Sequence, residues 1–129
     1  MWTVISVLAG ALFTLFAWFQ LNDPDPAMWV LVYGTTAALS VAAGFRRLHP
    51  AVFVTWALLC IVGGLFLWLG WDGASNPMGD ASQGLFAEEV VREVGGLAIC
   101  VGWMGVAAVQ SGLSRRRNTV DGMASEDTS

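Results

Sequence analysis

The chain has 129 residues, of which 56% are hydrophobic and 12% charged, whereas a soluble globular domain carries about 25% charged side chains. That is too little polar surface to face water, so the composition excludes a soluble fold and indicates a single integral membrane domain. A net charge of −4, with arginine as the only basic residue type, excludes nucleic acid as a partner because no basic stripe is available.

Residues 2–21 form an uncharged apolar run, long enough to span a hydrocarbon core of about 30 Å. No basic segment precedes it, and Asn22-Asp23-Pro24 follows where a signal peptide would present small residues, so a retained helix is expected. The corner Asn22-Asp23-Pro24-Asp25-Pro26 stops it, since each proline pushes the preceding residue out of the α region. Asp25 suits an N-cap and Pro26 a first helical position.

A second apolar run, 27–45, places Gly34, Ala38 and Ala42 four apart on one face. Such small-residue stripes commonly mark helix-packing faces, here expected within the monomer, with contact to a second copy as the alternative. Arg46-Arg47-Leu48-His49-Pro50 ends it, and His49 reads as a solvated loop residue. The third run, 51–71, contains Gly63-Gly64, and a Gly/Ser/Asn/Asp-rich stretch from Asp72 to Gly84 reads as a loop. Over 85–94, Phe86, Val90, Val91 and Val94 oppose Glu88, Glu89, Arg92 and Glu93, the pattern of an amphipathic helix. It leads through Gly95-Gly96 into a fourth apolar run, 95–113. The expected fold is therefore all-α and polytopic: a four-helix transmembrane domain over 1–113, followed by a polar, disordered cytoplasmic tail over 114–129. Cys60 and Cys100 lie inside apolar runs and read as unbridged small hydrophobes at different depths.

Arginine near membrane spans stays in the cytoplasm. Arg46, Arg47 and Arg115 to Arg117 fall on one side after four crossings, which puts both termini in the cytoplasm and leaves Arg92 as the exception. Trp18, Trp29, Trp68 and Trp71 near the outer ends and Trp2 at the inner end fit interfacial belts, with Trp56 and Trp103 deeper. A bacterial plasma membrane is the expected location.

This topology gathers a polar rim on the outer face: Gln20, Asn22, Asp23 and Asp25 from the corner, Trp29 and Tyr33 beyond it, and Glu88, Glu89, Arg92 and Glu93 from the amphipathic segment. The stretch from Gln20 through Asn22-Asp23-Pro24-Asp25 to Trp29 and Tyr33, with Glu88-Glu89, Arg92-Glu93, Gly96-Leu97 and Trp103, resembles the two signatures of the transmembrane protein 220 family over roughly residues 12–105. The resemblance implies a small multi-pass membrane protein and transfers no catalytic residue, because the family carries no established activity. Physically the rim has two readings. Arg92 can pair with Asp23 or Asp25 and pin the amphipathic segment over the corner, or the acidic groups can form a pocket for a cation or amine headgroup, with Trp29 and Tyr33 as its apolar wall.

No zinc spacing, phosphate-binding glycine loop or Ser-His-Asp set is present, so no catalytic residue, metal or cofactor is expected. None of the four apolar runs holds Asp, Glu, Lys, Arg or His, which disfavours a proton-coupled transporter. The leading expectation is a structural or partner-docking membrane module, its partners being the lipid bilayer and another membrane protein or a second copy. The alternatives are a transporter or channel subunit, a cation- or headgroup-binding protein and, last, a membrane enzyme.

Overall fold

The computed structural model describes residues 1–22, 26–70 and 84–127, with the backbone alone over 67–70 and 84–92. Among these residues all regular structure is helical. Helix α1 (Trp2–Phe19) tightens into a 3-10 turn at Gln20–Asn22 and is followed by α2 (Pro26–Gly44), α3 (Pro50–Gly70) and α4 (Gly84–Glu126). The helix limits fall within two residues of those expected for the first three apolar runs. Pro26 and Pro50 each open a helix, where the missing N–H costs nothing.

The first, second and fourth helices are long and apolar enough to cross a membrane, and α3 has a 21-residue helical backbone. The protein is an all-α polytopic membrane protein. Its exterior is that of a lipid-facing bundle: Leu8, Leu31 and Phe66 are 64%, 66% and 76% exposed, while Ser6, Thr36 and Ser40 are wholly buried. With lipid outside there is no hydrophobic drive between helices, so small and hydroxyl-bearing residues line the contacts.

Helix α1 lies along α2, α3 lies along α4, and the two pairs meet where α2 packs on α4. The buried face of α2 consists of Trp29, Tyr33, Thr36, Ala37, Ser40, Ala43 and Gly44. This corrects the expected packing of that stripe within the monomer. Ala38 is exposed, Ala42 is half-buried, and a Cβ built on Gly34 would meet nothing within 4 Å. The true face lies mostly one residue earlier, about 100° round the helix. It wins because Thr36 and Ser40 accept hydrogen bonds from other helices, a gain that a glycine–alanine stripe cannot offer.

Close approach between α1 and α2 depends on Gly10 instead. A Cβ there would lie 2.6 Å from a Val41 methyl and 3.2 Å from the Ala37 carbonyl oxygen. Gly10→Ala is expected to lower stability by about 1 kcal/mol, because the carbonyl belongs to rigid helix backbone. Gly34→Ala should stay within about 0.5 kcal/mol of wild type. Thermal unfolding in one detergent compares the two, and equal losses would remove the assignment of the packing face.

The end of α2 is capped from two directions. Arg46 N–H donates to the Ala43 carbonyl (3.1 Å) and Arg47 N–H to the Ala42 carbonyl (3.4 Å), the paired closure in which a left-handed residue reverses the chain. Arg46 adopts that conformation at φ 55°, where glycine would avoid a cost of about 1–2 kcal/mol. From α1, Trp2 Nε1 donates to the Ala43 carbonyl (3.1 Å) and Thr3 Oγ1 to the Gly44 carbonyl (2.9 Å). Before α3, His49 Nδ1 accepts from Ala51 N–H (3.2 Å), so this exposed histidine caps a helix and is more than a solvated loop residue.

Helix α4 is the largest departure from expectation. It spans 43 residues, about 65 Å, roughly twice a hydrocarbon core. The tail expected to be disordered continues this helix to Glu126. Arginine is a good helix former, and the hydroxyls of Ser114, Thr119 and Ser125 donate to carbonyls of the preceding turn, at Gln110, Arg115 and Gly122. A polar composition indicated solvation correctly but did not indicate loss of helix.

Candidate functional site

At the corner end, α1 and α2 build an aromatic cluster. Phe13 and Phe16 meet edge to face (6.0 Å), Phe16 meets Tyr33 (5.8 Å), and Tyr33 lies beside Trp29 (6.0 Å). Trp29 and Tyr33 are 2% and 5% exposed, so they belong to the core and do not form an open wall. Trp29 is not an interfacial belt residue either, whereas Trp18 is exposed. The cavity that Trp29 lines is about 220 Å³ and is shared with Met28, Val32, Trp56, Leu59 and Phe66, an apolar lateral groove between α2 and α3. Across from this cluster, Gly96 of α4 lies against the Tyr33 hydroxyl.

Of the expected rim, Gln20 is half-buried and Asn22 exposed in the 3-10 turn, and Glu93 is half-buried on α4. Asp23, Asp25 and Trp71 lie outside the described residues, as do the side chains of Trp68, Glu88, Glu89 and Arg92. Trp103 does not belong to this rim. It stacks on Trp2 at 5.8 Å with the rings 17° apart, toward the opposite end of the bundle. Ten residues separate it from Glu93, about 15 Å along a helix, too far for the same rim.

A second polar constellation sits inside the bundle, around the two tryptophans expected to lie deeper. Trp56 Nε1 on α3 donates to Thr36 Oγ1 (2.9 Å), and Trp103 Nε1 on α4 donates to Ser40 Oγ (2.8 Å). Thr36 Oγ1 donates in turn to the Val32 carbonyl (2.8 Å), and Ser40 Oγ to the Thr36 carbonyl (2.6 Å). Each hydroxyl thus accepts from another helix and donates to its own, which satisfies both in a medium without water. One turn of α2 ties α3 and α4 together. A signal for this existed: an indole N–H deep in an apolar run requires an acceptor, and Thr36 and Ser40 are spaced four apart within an apolar run.

Cys60 and Cys100 are free and buried and share one core cluster with Phe13, Trp29 and Tyr33, closer company than their expected depths implied. Thr36→Val keeps the shape of the side chain but strands the Trp56 N–H. The expected loss is about 1 kcal/mol, with Trp56 fluorescence shifted, and a neutral Thr36→Val would leave the tie without energetic weight.

The model described as transmembrane family 220, helix, matches residues 12–109. This chain belongs to transmembrane family 220. Transmembrane protein 220 of Xenopus laevis is 31% identical to it over 113 residues, which cover 81% of this chain and 56% of the relative. The chain therefore spans little more than half the length of that family 220 protein. No solved structure matches. A vertebrate relative lends no support to the expected bacterial plasma membrane, and the location that stands is a membrane. The family 220 match takes in both the corner end and the Thr36–Ser40 tie, and its printed name assigns no chemistry to either.

Proposed function

We propose that the protein is a structural, partner-docking membrane module. The observation that carries this reading is the use made of the interior polar groups: Thr36, Ser40, Trp56 and Trp103 hydrogen-bond helix to helix. They hold the two helix pairs in one arrangement, with each indole N–H spent on a hydroxyl of α2. The apolar runs contain no Asp, Glu, Lys, Arg or His, so this reading is favoured over a proton-coupled transporter. Docking is assigned to the outer acidic rim, on the sequence placement of Asp23, Asp25, Glu88, Glu89 and Glu93. Arg92 within it balances part of the charge, and both termini face the cytoplasm.

In-cell crosslinking from cysteines placed at Asn22 or Glu89, followed by purification in mild detergent, tests the module directly. A defined crosslinked membrane partner, or a second copy of this chain, is expected. A monodisperse monomer without crosslinks, together with solute flux above that of empty vesicles after reconstitution, would replace the module with a transporter. Orientation is checked separately by labelling engineered thiols in intact cells: Ser75→Cys should react from outside and Arg116→Cys should not.

A further inference from the structure

The arginine end of the bundle holds a pocket of about 360 Å³ whose lining includes Arg46, Leu48, Ser111, Arg115 and Asn118. It lies at the ends of the second and fourth apolar runs, between the reversal that ends α2 and the basic stretch of α4. Two guanidinium groups line it, and among the described residues neither has an ion pair or side-chain hydrogen bond. Arg46 occupies the left-handed position (φ 55°) that usually falls to glycine, so a charged side chain stands where the turn itself asks for none.

Ser111 supplies an independent observation. It is 6% exposed, and its hydroxyl is buried without a hydrogen-bond partner. Its neighbours behave otherwise: Ser114 donates to the Gln110 carbonyl and Thr119 to the Arg115 carbonyl. An unpaired buried hydroxyl is costly, and the residue that carries this one lines a cationic pocket, with the hydroxyl enclosed behind the lining. Asn118 adds an amide donor, and Leu48 an apolar surface suited to the glycerol region of a lipid.

We propose that this pocket binds a phosphate group carried by an anionic membrane phospholipid. Arg46 and Arg115 supply forked donors that match phosphate oxygens, and Asn118 completes the shell. A basic pocket between helices at the membrane surface suits such a headgroup. The site is separate from the acidic rim at the other end and does not depend on the docking reading.

The test uses the full chain reconstituted in phosphatidylcholine vesicles carrying traces of spin-labelled phosphatidic acid or spin-labelled phosphatidylcholine. The immobilised fraction of each label is read by electron spin resonance. Wild type should favour the anionic label, and the preference should fall about fivefold for each arginine lost in Arg46→Gly and Arg115→Gln. Arg46→Gly relieves the left-handed backbone, so misfolding does not confound it. The paired Arg116→Gln, Arg117→Gln variant, outside the pocket lining, should keep most of the preference. Equal immobilisation of both labels by wild type would overturn the proposal. So would an equal loss from the Arg116 and Arg117 changes, which would indicate diffuse surface charge. If wild type shows no preference for the anionic label yet binds inorganic phosphate in detergent through Arg46 and Arg115, the phosphate chemistry stands and the lipid source is overturned.

Discussion

Trp103→Ala is expected to lower the stability of the folded bundle by about 3 kcal/mol, the lower end of large aromatic-to-alanine losses in cores. Three interactions end at this side chain. Its indole N–H donates to Ser40 Oγ, its ring stacks on Trp2, and it packs against both buried clusters, the one around Trp29 and Tyr33 and the one around Phe53 and Met104. Trp2 in turn donates to the Ala43 carbonyl, so removing Trp103 loosens the first turn of α1 from the end of α2 as well. Trp103→Phe separates these contributions. It keeps a ring for stacking but loses the donor, and should cost about 1 kcal/mol. Thermal unfolding of both variants in the same detergent, read by near-UV circular dichroism, checks the order. Equal losses in the two would mean that the hydrogen bond carries the effect and the stacking adds nothing.

Gly96→Ala should cost about 2 kcal/mol, within the range for overpacking a well-filled core. The added methyl would meet the Tyr33 hydroxyl directly and approach the ring carbon bearing it at 3.2 Å. Tyr33 cannot swing aside easily, since Phe16 and Trp29 hold its ring and it is buried. Tyr33→Phe removes the one atom in closest conflict, so the double variant should recover part of the loss relative to the sum of the single changes. A double-mutant cycle on unfolding midpoints measures this coupling. Strict additivity would show that α4 moves away from α2 as a body and that Gly96 is not a local contact. By contrast, Gly95, one residue earlier, would present its Cβ to open space, and Gly95→Ala serves as the control.

The expected polar rim was only partly legible because its parts behave differently. Gln20 and Asn22 lie in the 3-10 turn that ends α1, and Glu93 lies within the long α4. Trp29 and Tyr33 were assigned to a pocket wall from their position near a membrane boundary. An aromatic at that depth serves equally well as a core residue, and only the direction in which the helix faces separates the two. Trp103 shows the same ambiguity along the helix axis. The family resemblance grouped it with Glu93, yet ten residues of α-helix carry it well down the bundle. The hydroxyls went unnoticed for a different reason. Serine and threonine are common in apolar spans, and Thr36 and Ser40 gain significance only once Trp56 and Trp103 face them across helix contacts.

By itself the chain determined that it lives in a membrane, that it is helical, and where three of its helices begin and end. These follow from run length, the absence of charge and the proline positions, all local properties that lipid enforces because unsatisfied backbone groups are not tolerated there. What only the tertiary structure decided is which face of each helix turns inward. In lipid nearly every face of these helices is apolar, so hydrophobic patterning carries little directional information. The choice falls to a few specific contacts: Gly10 against α2, Gly96 against Tyr33, and the indole N–H groups that find Thr36 and Ser40.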